Sequence, residues 1–161
     1  MSHGKLSMAL LFGAAITTIG TAAADKRIDD LSGHYRVRGE CAYRTEDGEY
    51  HDCVAWNTLE LKRDAERGGY RYTLETATFA TTAGGCGLSG LLQETVVEGE
   101  RRLVAIPDED NRCPLRFVER ARSLVLEVDD APDAETACRK SCGMNSSLYS
   151  DPFPLRSRRR R

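Results

Sequence analysis

His51-Asp52-Cys53 sets a base, an acid and a thiol in consecutive positions. These are the residue types of nucleophilic catalysis, in which a thiolate attacks and an imidazole manages the proton. On a β-strand, however, His51 and Cys53 face one side and Asp52 the other. A cysteine held in a disulfide is also no nucleophile. A second stretch, Cys138-Arg-Lys-Ser-Cys142 followed by Gly143, suits a metal site, a redox pair or a structural staple. A CxxC redox site has two intervening residues, whereas this pair has three. Zinc normally draws on further Cys or His at close spacing. Beyond the first 24 residues the only histidines are His34 and His51.

The compartment decides between these chemistries. Lys5 is followed by an apolar run over residues 6–19, then by small residues at Ala22 and Ala24, then by Asp25-Lys-Arg-Ile-Asp-Asp30. That order is the pattern of a secretory signal peptide, with cleavage expected after Ala24. The run is shorter than the ~20 residues of a spanning helix. No second apolar segment follows it, so no transmembrane segment is expected after cleavage. The expected location is periplasmic or secreted. All six cysteines, Cys41, Cys53, Cys86, Cys113, Cys138 and Cys142, lie in the expected mature chain. An even count in an exported chain reads as a disulfide set.

The domain division read from the sequence is a signal at 1–24, one β-domain at 25–155 and a basic C-terminal tail at 156–161. Five of the last six residues are arginine, and residues 25–155 carry 17 basic against 25 acidic residues, a net of −8. An acidic body favours cationic partners and argues against nucleic acid. The arginine tail suits contact with an anionic membrane surface or cell-wall polymer. The competing reading is a frayed, solvated terminus.

The elements that must position these residues read as short strands between turn signals. Tyr35-Arg-Val-Arg38 alternates apolar and charged residues, as a half-buried strand does. Asp47-Gly48 marks a hairpin. A three-residue loop, Glu46-Asp47-Gly48, places Gly48 in the left-handed region and opposes Thr45 to Glu49, Tyr43 to His51 and Cys41 to Cys53. That register predicts a Cys41–Cys53 bridge. Further strands are expected over 56–63, 70–79, 91–97, 101–106, 115–119 and 123–128, with a loop or bulged crossing at 81–90. Pro132 to Cys142 carries helix start and stop signals: proline first, acids early, bases late, Gly143 after. On such a helix Cys138 and Cys142 share a face. They either bridge each other, leaving Cys86 to Cys113, or both reach across to the barrel. The first option is preferred. Together these features predict an all-β fold: a single small antiparallel β-barrel or sandwich of meander type, stapled by disulfides, with one short C-terminal helix.

Other acidic groups add no metal chemistry. Asp108-Glu-Asp-Asn111 and Asp129 to Glu135 both lack the EF-hand spacing and central glycine. Gly84-Gly-Cys-Gly87 has no phosphate-loop lysine, and no GxSxG elbow is present. No metal and no cofactor is expected.

Leu31-Ser-Gly-His-Tyr-Arg-Val37 resembles the opening strand of lipocalin-like barrels, with Tyr35 where those have tryptophan. Cys138-Arg-Lys-Ser-Cys-Gly143, followed by Leu148, Phe153 and a basic end, resembles the C-terminal element of small exported proteobacterial proteins. Periplasmic lysozyme inhibitors, which are exported disulfide-bonded β-barrels, are similar in plan. Beside that resemblance, the exported stapled barrel, the acidic body and the missing catalytic set point to a noncatalytic binding protein, an inhibitor or immunity-type protein for a cationic cell-wall hydrolase such as lysozyme. Acidic loops would meet that partner, and the expected contact residues are Glu46, Asp47, Glu49, Asp108, Glu109 and Asp110. The alternative is a carrier of a small apolar ligand in a cavity lined by Tyr35 and Tyr72. A hydrolase using His51 or His34 is the third reading.

Overall fold

The computed structural model describes residues 30–77, 85–109, 111–130, 132–143 and 148–160. The expected signal segment and Asp110 lie outside the described residues. Eight antiparallel strands follow one another in chain order around a nearly closed barrel. They are β1 (Gly33–Arg44), β2 (Tyr50–Asp64), β3 (Gly69–Ala77), β4 (Gly85–Val97), β5 (Glu100–Ile106), β6 (Leu115–Arg120), β7 (Ser123–Val128) and β8 (Phe153–Pro154). A helix, α1 (Ala134–Arg139), and a 3-10 turn, η1 (Leu155–Ser157), lie between and after the last strands. No helix among the described residues is long and apolar enough to cross a membrane.

Alternation along each strand creates the core. In β3, Tyr70, Tyr72 and Leu74 point inward while Arg71, Thr73 and Glu75 point outward. Tyr72, Phe117 and Phe153 meet edge to face across the interior, with centroids 6.3 and 6.5 Å apart. Each fully buried Leu or Phe contributes about 1.5–3 kcal/mol relative to exposure. Leu31 plugs the end where β1 begins. Its N–H donates to Tyr70 Oη at 3.1 Å, and its carbonyl accepts from Tyr35 Oη at 2.6 Å. Gly69 is required for the close approach of β3 to β4, because a Cβ there would lie 2.1 Å from the Leu92 carbonyl oxygen.

On the outer face of β5, β6 and β7 a chain of charges runs through Arg102, Glu100, Arg120, Glu127, Arg116 and Asp129. The hydrogen bond from Arg120 holds the Glu100 carboxyl down at about 2. Val118, in register with Arg102 and Val125, is completely buried among these side chains, as happens where arginine stems cover apolar surface.

Three expectations need correction. First, the bridges are Cys41–Cys53, Cys86–Cys142 and Cys113–Cys138, so the preferred 86–113 and 138–142 pairs do not form. The helix stops at Arg139, and Ser141–Gly143 runs extended beside Gly85–Gly87. Two backbone bonds fix that pairing, Gly87 N–H to Ser141 O at 2.9 Å and Gly143 N–H to Gly85 O at 2.8 Å. Cys142 therefore sits opposite Cys86, while Cys138, buried on α1, meets Cys113. Both cysteines reach across to the barrel. Second, Gly85–Gly90 is part of β4, in register with Tyr72–Ala77 of β3, and not a loop. Third, the basic C-terminal residues are tied to the barrel as far as Arg159. Arg159 exchanges two backbone hydrogen bonds with His34 at 3.0 and 2.9 Å, while β8 pairs with β7. The segment from Phe153 to Arg159 thus spans the seam between the last long strand and the first.

Candidate functional site

β1 and β2 pair from Gly33–Leu61 out to Arg44–Tyr50, but the rungs between β2 and β3 begin only at Thr58–Glu75. Among the described residues, Tyr50–Asn57 and the β1 residues opposite have no rung to a third strand and form a two-stranded arm, with Asn57 at its base held by Ala77 N–H and Ser150 Oγ. At about 3.3 Å per residue the arm is roughly 23 Å long. A lone two-stranded ribbon is marginal in water. The Cys41–Cys53 bridge ties its middle, in the register expected from the loop chemistry.

The tip is built as the sequence dictates. Gly48 has φ +93°, which an L side chain resists. Thr45 N–H donates to Glu49 O at 2.9 Å and Gly48 N–H donates to Thr45 O at 3.0 Å. The Thr45 hydroxyl donates to the Asp47 carboxylate, and this bond lowers the Asp47 pKa. Arg44 Nε bonds the Gly48 carbonyl at 3.1 Å. Glu46, Asp47 and Glu49 are all exposed, so three carboxylates crown the arm.

The arm has two chemically different faces. One continues the barrel interior and carries the bridge, with Tyr43 stacked on His51 at 5.6 Å between centroids. The other carries arginines and aromatics. Arg36 lies 3.9 Å from the Trp56 ring centroid, and Arg44 lies 5.8 Å from that of Tyr50. Trp56, Val54 and Tyr50 are 46, 52 and 66 % exposed. Trp, Tyr and Arg are the types that dominate binding energy in protein interfaces. The sequence reading of the tip did not include this row. Its signal is the even-numbered row Tyr50, Val54, Trp56, interrupted at Asp52, which continues the hairpin strand through Cys53 into the next one.

The other expected contact residues are placed differently. Strand direction puts the 107–114 connection at the same end of the barrel as the arm, on a separate loop. Asp108 and Glu109 are exposed there, and Asp110 lies outside the described residues. Asp108 also works structurally: its carboxylate accepts the Asn111 N–H at 2.7 Å, and its own N–H donates to Asn111 O at 3.0 Å. It borders an open depression of about 410 Å³ on the outer face of β2 to β4, shared with Glu60, Lys62, Arg71 and Ser89.

The residues considered for catalysis are engaged elsewhere. Cys53 is bridged, and His51 Nε2 lies 3.9 Å from Glu49. His34 Nε2 is 3.2 Å from Glu60 Oε1, an atom that Lys62 also reaches at 2.8 Å. Tyr35 and Tyr72, the expected cavity lining, are 1 and 3 % exposed members of the packed core. Burial pushes the Tyr72 hydroxyl up to about 12, and it accepts a hydrogen bond from Asn111 Nδ2 at 2.6 Å. Asp129, Asp130, Asp133 and Glu135 flank the start of α1 and are exposed. Among the described residues no group of three His, Cys, Asp or Glu side chains converges as a metal site. In comparisons with protein-family models, curated proteins and solved structures, the chain matches none of them.

Proposed function

We propose that this is an exported, noncatalytic binding protein that inhibits a cationic cell-wall hydrolase of the lysozyme type by lodging the tip of the β1–β2 arm in the partner's cleft. The observation that carries the reading is the arm itself: a disulfide-tied hairpin that extends past the sheet and ends in Glu46, Asp47 and Glu49. A narrow two-stranded element suits a cleft, and a bridged one loses less conformational freedom on docking. The tip carboxylates complement a basic cleft and speed encounter. Trp56 and Tyr50, each stacked with an arginine, supply apolar area further down the arm, where the cleft's rim would cover it.

The test is a wall-lysis assay against a panel of cationic cell-wall hydrolases, with the oxidised protein titrated in. The wild type is expected to slow lysis by at least one of them. The triple variant E46Q/D47N/E49Q should need about tenfold more protein for the same effect. No inhibition across the panel, or equal potency of the triple variant, contradicts the proposal.

A further inference from the structure

The arginines that close the barrel form a second surface at the end opposite the arm. The Leu155 N–H donates to the Arg122 carbonyl at 2.9 Å, which brings the β6–β7 turn beside η1. Arg159 is fixed by its two backbone bonds to His34 at 3.0 and 2.9 Å. Arg158 folds inward. Its guanidinium donates to the Asp30 carbonyl, and its Cγ would sit 2.6 Å from a Cβ at Gly33. Arg122, Arg156, Arg159 and Arg160 are left exposed, and none of the four makes an ion pair among the described residues. The contrast is with Arg63, Arg71, Arg101, Arg102, Arg116 and Arg120, each of which holds a carboxylate. Four guanidinium groups without an ion pair among the described residues are thereby brought to one end of the barrel by the β6–β7 turn, η1, the Arg159 bridge and the residue after it.

We infer that this pole docks on an anionic phospholipid surface and leaves the acidic arm facing away from it. The depression beside the array, about 250 Å³, is lined by Asp30 and Glu60 together with His34, Lys62 and Arg160. A linear polyanion lying in that depression would meet two carboxylates. A flat anionic surface laid on the seam side of this pole meets the four guanidinium groups, with the exposed Glu66 and Glu98 on the β2–β3 and β4–β5 turns as the opposing charges of this end. The exposed Val96 and Val97 at this end sit on the β4–β5 hairpin, far along the sheet from the seam that carries the arginines, so the contact at the array is electrostatic, reversible and weakened by salt. The inference stands apart from the inhibitor reading, because it uses the opposite end of the molecule.

The experiment is sedimentation with vesicles, using the oxidised chain from Asp25 onward, the form left by the expected cleavage. Binding should rise with the phosphatidylglycerol content of phosphatidylcholine vesicles and fall with salt. The variant R122Q/R156Q/R159Q/R160Q should bind on the order of 600-fold more weakly, since each arginine near such a surface counts for about fivefold. Arg158 is left intact because it packs against Gly33, and an unchanged melting temperature shows that the variant still folds. The tip variant E46Q/D47N/E49Q should bind vesicles at least as well as the wild type. Equal binding of the arginine variant, or binding independent of phosphatidylglycerol, overturns the inference. Stronger retention by an anionic glycan such as polygalacturonate than by vesicles of equal charge concentration also overturns it.

Discussion

At the residue scale the least obvious side chain is Asn111. It is buried, donates to Tyr72 Oη at 2.6 Å and to the Ser89 carbonyl at 3.0 Å, and accepts the Cys113 N–H at 3.1 Å. It joins polar groups of β3, β4 and the 107–114 connection toward the start of β4, short of the first rung to β5 at Leu91. Asn111→Ala should cost about 3 kcal/mol, because it strands buried partners, whereas Tyr72→Phe should cost about 1 kcal/mol. Thermal or urea unfolding measures both, and an equal cost for the two would show that Asn111 serves Tyr72 alone. In the sequence Asn111 is only the last residue of an acidic turn. Its partners lie 39 and 22 residues away, and no local pattern reveals them. The neighbouring residues at the tip are different. Thr45, Gly48 and Glu49 satisfy one another within five positions, so their arrangement follows from turn chemistry alone.

At the element scale the same division separates the bridges. Cys41–Cys53 was legible because one hairpin loop fixes its register. Cys86–Cys142 and Cys113–Cys138 were not, because they depend on α1 ending early and on Ser141–Gly143 adding a short extended run beside β4. Helix signals mark where a helix begins more firmly than where tertiary pairing stops it. The closing strand was hidden for a related reason: β8 is two residues long, and the barrel seam is completed by one isolated bridge, the pair of backbone bonds between Arg159 and His34. Loop-closure entropy ranks the bridges by sequence separation, which is 56 for Cys86–Cys142, 25 for Cys113–Cys138 and 12 for Cys41–Cys53. Pairwise replacement by serine should therefore cost about 4, 3.5 and 3 kcal/mol respectively. Unfolding of the three double variants checks the order. A larger loss at Cys41–Cys53 than at Cys86–Cys142 would mean that the arm, and not the α1 tether, is the bridge-dependent element.

At the scale of the whole molecule the charges are separated. Carboxylates crown the arm and line the loops at its end, while four arginines without an ion pair among the described residues lie at the opposite pole, together with the exposed Glu66 and Glu98. The net charge of −8 over residues 25–155 is readable from composition, but its arrangement requires the barrel, because Arg122 and Arg156 meet only through the seam. Such a polarised body attracts a cationic partner to one end from beyond contact distance. The central claim is that the acidic tip drives association with a cationic hydrolase, and the association rate tests it most directly. For a hydrolase that the protein inhibits, that rate should be measured from about 0.05 to about 0.3 M salt, a range over which the screening length shortens from beyond 10 Å to well below it. The account predicts a rate that falls steeply with salt for the wild type, and a slower rate with a shallow salt dependence for E46Q/D47N/E49Q. Identical rates and slopes for the two proteins would contradict it.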